Sequence, residues 1–357
     1  MIPVRPESID PRWLTDALRL RVPGVTVESV EVVRIVDATN ANATIAVRHD
    51  APERLADRLF VKMPPLDPQR RARLDWRSMA ERETRFYRDL ASSVAITVPT
   101  VHLASFDDAS GAFLLIMELL GEDGTGLPNL VAGLEPALLD DAMVELAGFH
   151  ARFEDSATRA ADTPWLHPTG RTSDYGARLL RAGIDSGAPL DPAFVAVAER
   201  YIADRDLLQD AWELGPTTVL HGDAHIGNVF IDDRGGTARL GFFDWGLMTV
   251  GSPMRDVSYL LAMTLSPADR QANESRLIDI YLAARVAAGA APIDARDAWF
   301  MHRLQAAYTV VASCQSIVAR PSDSPGRRAF SAAFVERAEK AVVDLEARDA
   351  IEVFAAG

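Results

Sequence analysis

Apolar positions change their period several times along the chain. Asp10 followed by Pro11 reads as an N-cap and a first helical residue, and Trp13, Leu14, Ala17 and Leu18 give the ensuing helix one apolar face. Residues 25–36, 44–48 and 58–63 are β-prone runs, the first two joined by the turn DATNANA and the third stopped by Pro64 and Pro65. From about residue 67 to 91 the period becomes helical, with Trp76, Met79, Phe86, Tyr87 and Leu90 three or four apart. Residues 98–106 and 112–120 predict a hairpin around DDASG. Beyond the glycine-rich break GEDGTGLP the pattern is mainly helical, over 135–153, 192–213, 267–288, 295–319 and 327–350. A short β-prone island interrupts it. There Thr217 to Leu220 and Val229 to Ile231 flank the octet HGDAHIGN, so the octet reads as a turn between two buried strands, and a third strand, ARLGFFDW, follows. The layout is α+β: a small β-rich lobe (1–117), a hinge (118–126) and a larger, mainly helical lobe (127–357) holding a small sheet.

Composition narrows the class. With 357 residues, 48% of them hydrophobic and 25% charged, the chain is long enough for two lobes and rich enough to give each a core. A net charge of −14 argues against nucleic acid and against an anionic membrane surface as partners. The longest apolar stretch, 112–120, is interrupted by Glu118 and is too short to span a bilayer, and the first residues lack the basic start and apolar run of a secretory signal. Cys314 is the only cysteine, which excludes an intrachain disulfide and suits a reducing compartment; the cytoplasm is the expected setting. Lysine occurs only at positions 62 and 340, so 35 of the 37 basic residues are arginine. A lysine at the end of an apolar strand in such a chain calls for a specific reason, because ammonium and guanidinium are not interchangeable at a tight site.

Three places carry candidate chemistry. The octet converges His221, Asp223, His225 and Asn228 on one short polar segment beside a core. Glu83 falls on the apolar stripe of its helix, four residues from Met79 and three from Phe86, where a carboxylate needs a partner; Lys62, closing the neighbouring strand, is the candidate. Asp244 directly follows a buried strand. Asp223, Asn228 and Asp244 would supply the hard oxygen ligands that Mg²⁺ takes when it keeps some waters and borrows phosphate oxygens. A competing reading makes His221, Asp223 and His225 ligands of zinc or of a dinuclear hydrolase centre.

HGDAHIGNVF, followed by DW and then by GSPMRDVSYLL, resembles the aminoglycoside phosphotransferase and choline kinase-like family, small-molecule kinases of protein-kinase-like fold. The resemblance extends over the strand lysine, the helix RETRFYRDL, the hinge-like LIMELLGE and the helix LAGFHARF. It implies a first lobe that binds nucleotide and a second that holds catalytic and acceptor groups. Asp223 would orient and deprotonate an acceptor hydroxyl, while Asn228 and Asp244 hold Mg²⁺ against the phosphates of ATP or GTP. Lys62, held by Glu83, would contact the α- and β-phosphates. The backbone from Met117 through Glu118 to Leu120 would meet the base. Asp256 would brace the catalytic loop, His221 would pack, and His225 would line either the phosphates or the loop.

Two departures stand out. Gly222 occupies the place where protein kinases carry an arginine that reads activation-loop phosphorylation, so that control is not expected. The phosphate-covering turn DATNANATI has no glycine, leaving Asn40 and Asn42 as the residues able to take a left-handed backbone and line the phosphates with amides. The resemblance implies a small-molecule alcohol as acceptor and a monomer or homodimer as the working form. Few acids between Trp299 and Val318 tilt the acceptor away from an aminoglycoside, toward a hydroxyacyl, sterol-like or macrolide compound, with Trp165, Arg171, Tyr175, Trp299 and His302 as candidate walls. The glycine-free turn also motivates an alternative: a nucleotide-binding or sensing protein without turnover.

Overall fold

The computed structural model describes residues 2–37, 39–73, 76–168, 170–171, 173–318 and 323–357. The chain divides into two compact units, one of residues 1–127 with 230–248, the other of 128–229 with 249–357. The first unit therefore takes back a segment from the second half of the sequence.

In the first unit five strands form one sheet in the order β1-β2-β3-β5-β4: β1 (Val27–Asp37), β2 (Ala41–His49), β3 (Arg58–Met63), β4 (Val101–Phe106) and β5 (Phe113–Glu118). Every neighbouring pair is antiparallel. Alternate residues Ala41, Ala43, Ile45 and Val47 of β2 point into a core shared with Leu14 and Leu18 of the first helix, whose N-cap Asp10 accepts from the Trp13 N–H at 2.8 Å. The turn between β1 and β2 is shorter than DATNANA: Ala41, Asn42 and Ala43 already belong to β2, opposite Asp37, Val36 and Ile35. The helix Trp76–Arg85 continues as one π-turn, Phe86–Leu90, and packs against the sheet. A second, three-stranded sheet joins β6 (Thr125–Gly126), β8 (Val229–Asp232) and β9 (Arg239–Phe242).

The second unit is helical around one short ribbon, β7 (Thr218–Leu220) against β10 (Thr249–Gly251). The two strands flanking the octet thus lie in different sheets: β7 pairs with β10, whereas β8 pairs with β6 and β9. Local β-propensity identified both strands correctly, but a partner is chosen by long-range packing, and the expected hairpin is not formed. The span 192–213 is two helices, Pro192–Ala203 and Arg205–Trp212, because Asp204 leaves helical geometry and caps the second through the Leu207 N–H. The last helical span breaks at Glu346, which adopts φ +48°, between Pro325–Asp344 and Ala347–Ala355. Of the predicted helix 295–319, residues 295–312 form one helix and 314–317 a further turn, with residue 319 outside the described residues. A helix absent from the sequence reading, Pro253–Thr264, lies at the centre; eleven of its twelve residues are buried, so it has no polar stripe to reveal its period. Among the described residues no helix is long and apolar enough to cross a membrane.

Candidate active site

In the first unit the candidate residues meet around one ammonium. Lys62, on the central strand β3 opposite Asn42 of β2 and Leu115 of β5, is 5% exposed. Its Nζ lies 2.7 Å from Glu83 Oε2 and 3.0 Å from Asp244 Oδ1. Glu83 is buried, as its place on the helix stripe requires, while the Asp244 side chain is 40% exposed. Burial pushes the Glu83 carboxyl up to about 7, against the pull of Lys62. Lys62 is raised: the carboxylates Asp244 and Glu83 outweigh the cost of burying its charge. Two carboxylates share one cation, so the ionised cluster carries a net negative charge with its open side at Asp244.

Local geometry aims Asp244. It sits at φ +63°, a left-handed conformation that turns the chain sharply out of β9. Trp245, fully buried, stacks on Phe86 with ring centroids 3.7 Å apart. A Cβ on Gly246 would come within 3.3 Å of the Met79 Cβ and carbonyl oxygen, so the turn after Asp244 presses directly on the helix bearing Glu83.

Among the other first-unit candidates, Asn40 and Asn42 are placed differently from the expectation. Neither Asn40 nor Asn42 is left-handed; among the described residues only Asp123, Asp244 and Glu346 have positive φ without being glycine. Asn42 is held extended by pairing on both sides of β2. The side-chain oxygens of Asn40 and Asn42 are both buried without a hydrogen-bond partner. Glu118 has its carboxylate engaged, accepting from the Thr100 N–H at 2.6 Å and from Arg234 at 2.9 Å, and its own N–H donates to the Thr100 carbonyl at 2.9 Å. Leu120 follows in the turn beyond β5.

In the second unit the octet is anchored from below by Asp256 in the first turn of the Pro253–Thr264 helix. Its carboxylate accepts the His221 N–H at 2.6 Å and the Gly222 N–H at 2.9 Å, and lies 3.3 Å from His150 Nε2. Burial alone would raise Asp256, yet the hydrogen bond and charge of His150 and the Gly222 amide hold it below the usual carboxylate range. Gly222 has φ +82°, which explains why glycine stands there. His150 completes the brace through Tyr281, with Nδ1 and hydroxyl 2.8 Å apart.

Asp223 emerges from this platform, its side chain 26% exposed. Asn228 Nδ2 donates to the Asp223 carbonyl and to its Oδ2, both at 3.0 Å, which leaves the Asn228 side-chain oxygen as the atom available to a metal. The buried Tyr259 hydroxyl bonds the Asp223 carboxylate from the central helix. His225 Nδ1 accepts the Gly227 N–H at 2.9 Å, and its ring packs edge-on against Tyr259 and Phe334, so in the structure it braces the loop. His221 is wholly buried, its Nδ1 accepting the Asp223 N–H at 3.2 Å. With both Nδ1 atoms engaged in the loop, and no group of three or more His, Cys, Asp or Glu arranged to hold a metal among the described residues, the zinc or dinuclear reading loses its ligands. His302 is core, between Ser258 and Glu274.

Tyr259 and His150 are functional candidates that the reading of single residues did not find. They lie in the segments LAGFHARF and GSPMRDVSYLL. The signal was their helical spacing, three residues after Asp256 for Tyr259, which became usable only once the helix itself was known.

A family model described as the phosphotransferase enzyme family matches residues 32–299. The chain belongs to this family. Three solved structures agree with this phosphotransferase in fold. Choline kinase from Cryptosporidium parvum is 10% identical, with 95% of this chain and 98% of that one covered and a TM-score of 0.56. Spectinomycin phosphotransferase, solved with ADP and spectinomycin, is 13% identical over 95% and 99%, with a TM-score of 0.51. An aminoglycoside phosphotransferase solved with GDP and kanamycin is 15% identical over 93% and 98%, at 0.53. At such identities the likeness carries the fold, the two-lobed α+β kinase-like fold expected from the motifs. No curated protein matches the phosphotransferase in sequence.

Proposed function

We propose that this phosphotransferase is a Mg²⁺- and nucleotide-dependent kinase that moves the γ-phosphoryl group of ATP or GTP to a hydroxyl of a small molecule. The observation that carries the reading is Asp223: a part-exposed carboxylate held by Asn228 and Tyr259 on a loop tied down by Asp256. A base so fixed takes the hydroxyl proton along one direction, and in phosphoryl transfer positioning is most of what a protein contributes. Mg²⁺, when bound, neutralises phosphate charge. By their chemistry Asn228, with an amide oxygen, and Asp244, with a carboxylate, are each the kind of hard ligand it takes. Lys62, steadied by Glu83, would turn its charge toward the α- and β-phosphates, and the backbone at Glu118 and Leu120 would meet the base. The ADP and GDP in the complexes named above are consistent with either nucleotide. A single buried cysteine suits the cytoplasm as the setting.

The test is Asp223→Ala. Phosphoryl transfer to the acceptor should fall by about 10³-fold or more while nucleotide binding and melting temperature stay close to wild type; turnover near the wild-type value would refute the assignment. A second reading, a nucleotide-binding protein without turnover, is motivated by the glycine-free turn before β2, in which no described residue takes a left-handed backbone. A Mg²⁺–ATP thermal shift combined with an inert response to every alcohol offered would select it.

A further inference from the structure

Arginine is the preferred cation of this chain, and the second unit buries several. Arg270 pairs with Glu274 at 2.6 Å and also reaches Asp344. Arg285 is held by Glu154 and the Ala291 carbonyl. Arg337 donates to the carbonyls of Leu265, Leu130 and Val131, at 2.9–3.1 Å. Each meets the rule that a buried guanidinium finds acceptors for its fork of donors.

Arg255 breaks that rule. Its side chain is 13% exposed, its buried Nε has no hydrogen-bond partner, and it is the one guanidinium of which this holds among the described residues. The carboxylate nearest to it, Glu213, stands 3.8 Å away, beyond hydrogen-bond length. Tyr308 faces it as well, with its ring centroid 4.4 Å from the guanidinium carbon and its hydroxyl as a hydrogen-bond partner, and Asp256 adds its charge. Glu213 is a weak counter-ion for a second reason: burial raises it above the usual carboxylate range in spite of Arg255 and Arg171. Tyr308, Glu213 and Asp256 hold the guanidinium charged in spite of its burial, yet its Nε–H is left without an acceptor, which a folded protein tolerates where a ligand completes the set.

Its position says which ligand. Arg255 stands four residues before Tyr259 on the same helix, hence on the same face and about 6 Å along the axis. Tyr308 touches both, at 4.4 Å from Arg255 and 5.4 Å between ring centroids from Tyr259, and Tyr259 in turn bonds Asp223. A continuous line of Arg255, Tyr308, Tyr259 and Asp223 thus joins a guanidinium with one unpaired donor to the proposed base.

We propose that the acceptor of this phosphotransferase is an alcohol bearing an anionic group, a carboxylate or a phosphate, anchored by Arg255 about one helical turn from where its hydroxyl meets Asp223. The inference rests on the kinase reading above. The acceptor oxygen forms a bond to the γ-phosphorus of ATP as the bond to the β-phosphate oxygen breaks; ADP leaves and the hydroxyl proton passes to Asp223. Planar, bidentate recognition of such a group is what a guanidinium supplies and an ammonium does not.

The experiment is ADP release from Mg²⁺–ATP with hydroxy carboxylates and phosphorylated alcohols, each beside its methyl ester or its parent alcohol, and with choline and kanamycin as cationic alcohols. The best acceptor should be anionic, with kcat/KM at least about ten-fold above its neutral counterpart. Arg255→Gln should raise the KM for that acceptor by about ten-fold or more and leave the KM for ATP within about two-fold, and Arg255→Lys should restore part of the loss. A cationic or neutral best acceptor overturns the inference, as does Arg255→Gln that still prefers acid to ester. If the variant does not fold, the acid and ester comparison in the wild type decides alone. Thermal stabilisation by Mg²⁺–ATP with turnover of a neutral or cationic alcohol but of no anionic one also overturns it and leaves the kinase reading standing, whereas turnover of no alcohol, or absence of any nucleotide effect, defeats the kinase reading itself.

Discussion

Replacing Lys62 by methionine isolates the shared cation. The substitution keeps most of the volume and removes the charge between Glu83 and Asp244, whose oxygens lie 2.7 and 3.0 Å away. Asp244, 40% exposed, can return to water, but the Glu83 side chain is only 3% exposed and cannot. In the wild type Glu83 already titrates at about 7 instead of 4.5, so the folded state binds more protons than the unfolded between those values and stability falls as pH climbs through that window. Without the ammonium the folded value moves further up and the window extends above pH 7. From pH 7 to 8.5 the wild type has released its proton and the variant has not, a difference of roughly 2 kcal/mol at about 1.4 kcal/mol per pH interval. At pH 5 Glu83 is neutral in both folded proteins, and the loss should be about 1 kcal/mol or less. Urea unfolding at pH 5 and 8.5 measures both numbers. Adding Glu83→Gln to Lys62→Met removes the titrating group and should flatten the pH dependence. Equal losses at the two pH values, or a double variant as unstable at pH 8.5 as the single one, would refute the reasoning.

Asp244→Ala and Asn228→Ala should each weaken nucleotide binding in Mg²⁺ and change little in EDTA, Asp244 more because it carries charge; calorimetric titration with and without the metal reads both. Asp256→Ala leaves the His221 and Gly222 N–H groups and His150 without their acceptor, and should cost about 3 kcal/mol in urea unfolding and lower turnover as the loop loosens. Tyr259→Phe removes one hydrogen bond to Asp223 and should lower kcat roughly five-fold with the KM for ATP unchanged, as steady-state kinetics would show.

Sequence pattern reached furthest where one period dominates over a whole element. The stripe through Met79 and Phe86 placed Glu83 inward, and it is found against Lys62. Asp244 was legible as a carboxylate leaving a buried strand, but its left-handed backbone was not, because aspartate tolerates that conformation without announcing it. Partnership between strands was legible where a short turn joins them, as in the hairpin around DDASG, but not across the octet: nothing local to Thr218–Leu220 says that it pairs with residues 249–251 and not with 229–231. The helix that carries Arg255, Asp256 and Tyr259 escaped for the opposite reason, since burial on all sides erases amphipathic contrast. Around the turn before β2, asparagines suggested a positive φ, and at Asn42 the pairing of β2 with both neighbours overrode it.

The first unit borrows residues 230–248, and this has a bearing on synthesis. Until that segment leaves the ribosome, Phe86 lacks the Trp245 ring that stacks on it, Lys62 lacks Asp244, and β6 lacks β8. Residues 1–127 alone are therefore a chain waiting for its closing piece, and contacts separated by about 160 to 180 positions are slow to form. A truncated 1–127 fragment should be expanded and chaperone-dependent, and joining 230–248 to its end through a flexible linker should make it compact. Translation through residue 248 thus precedes a complete first unit.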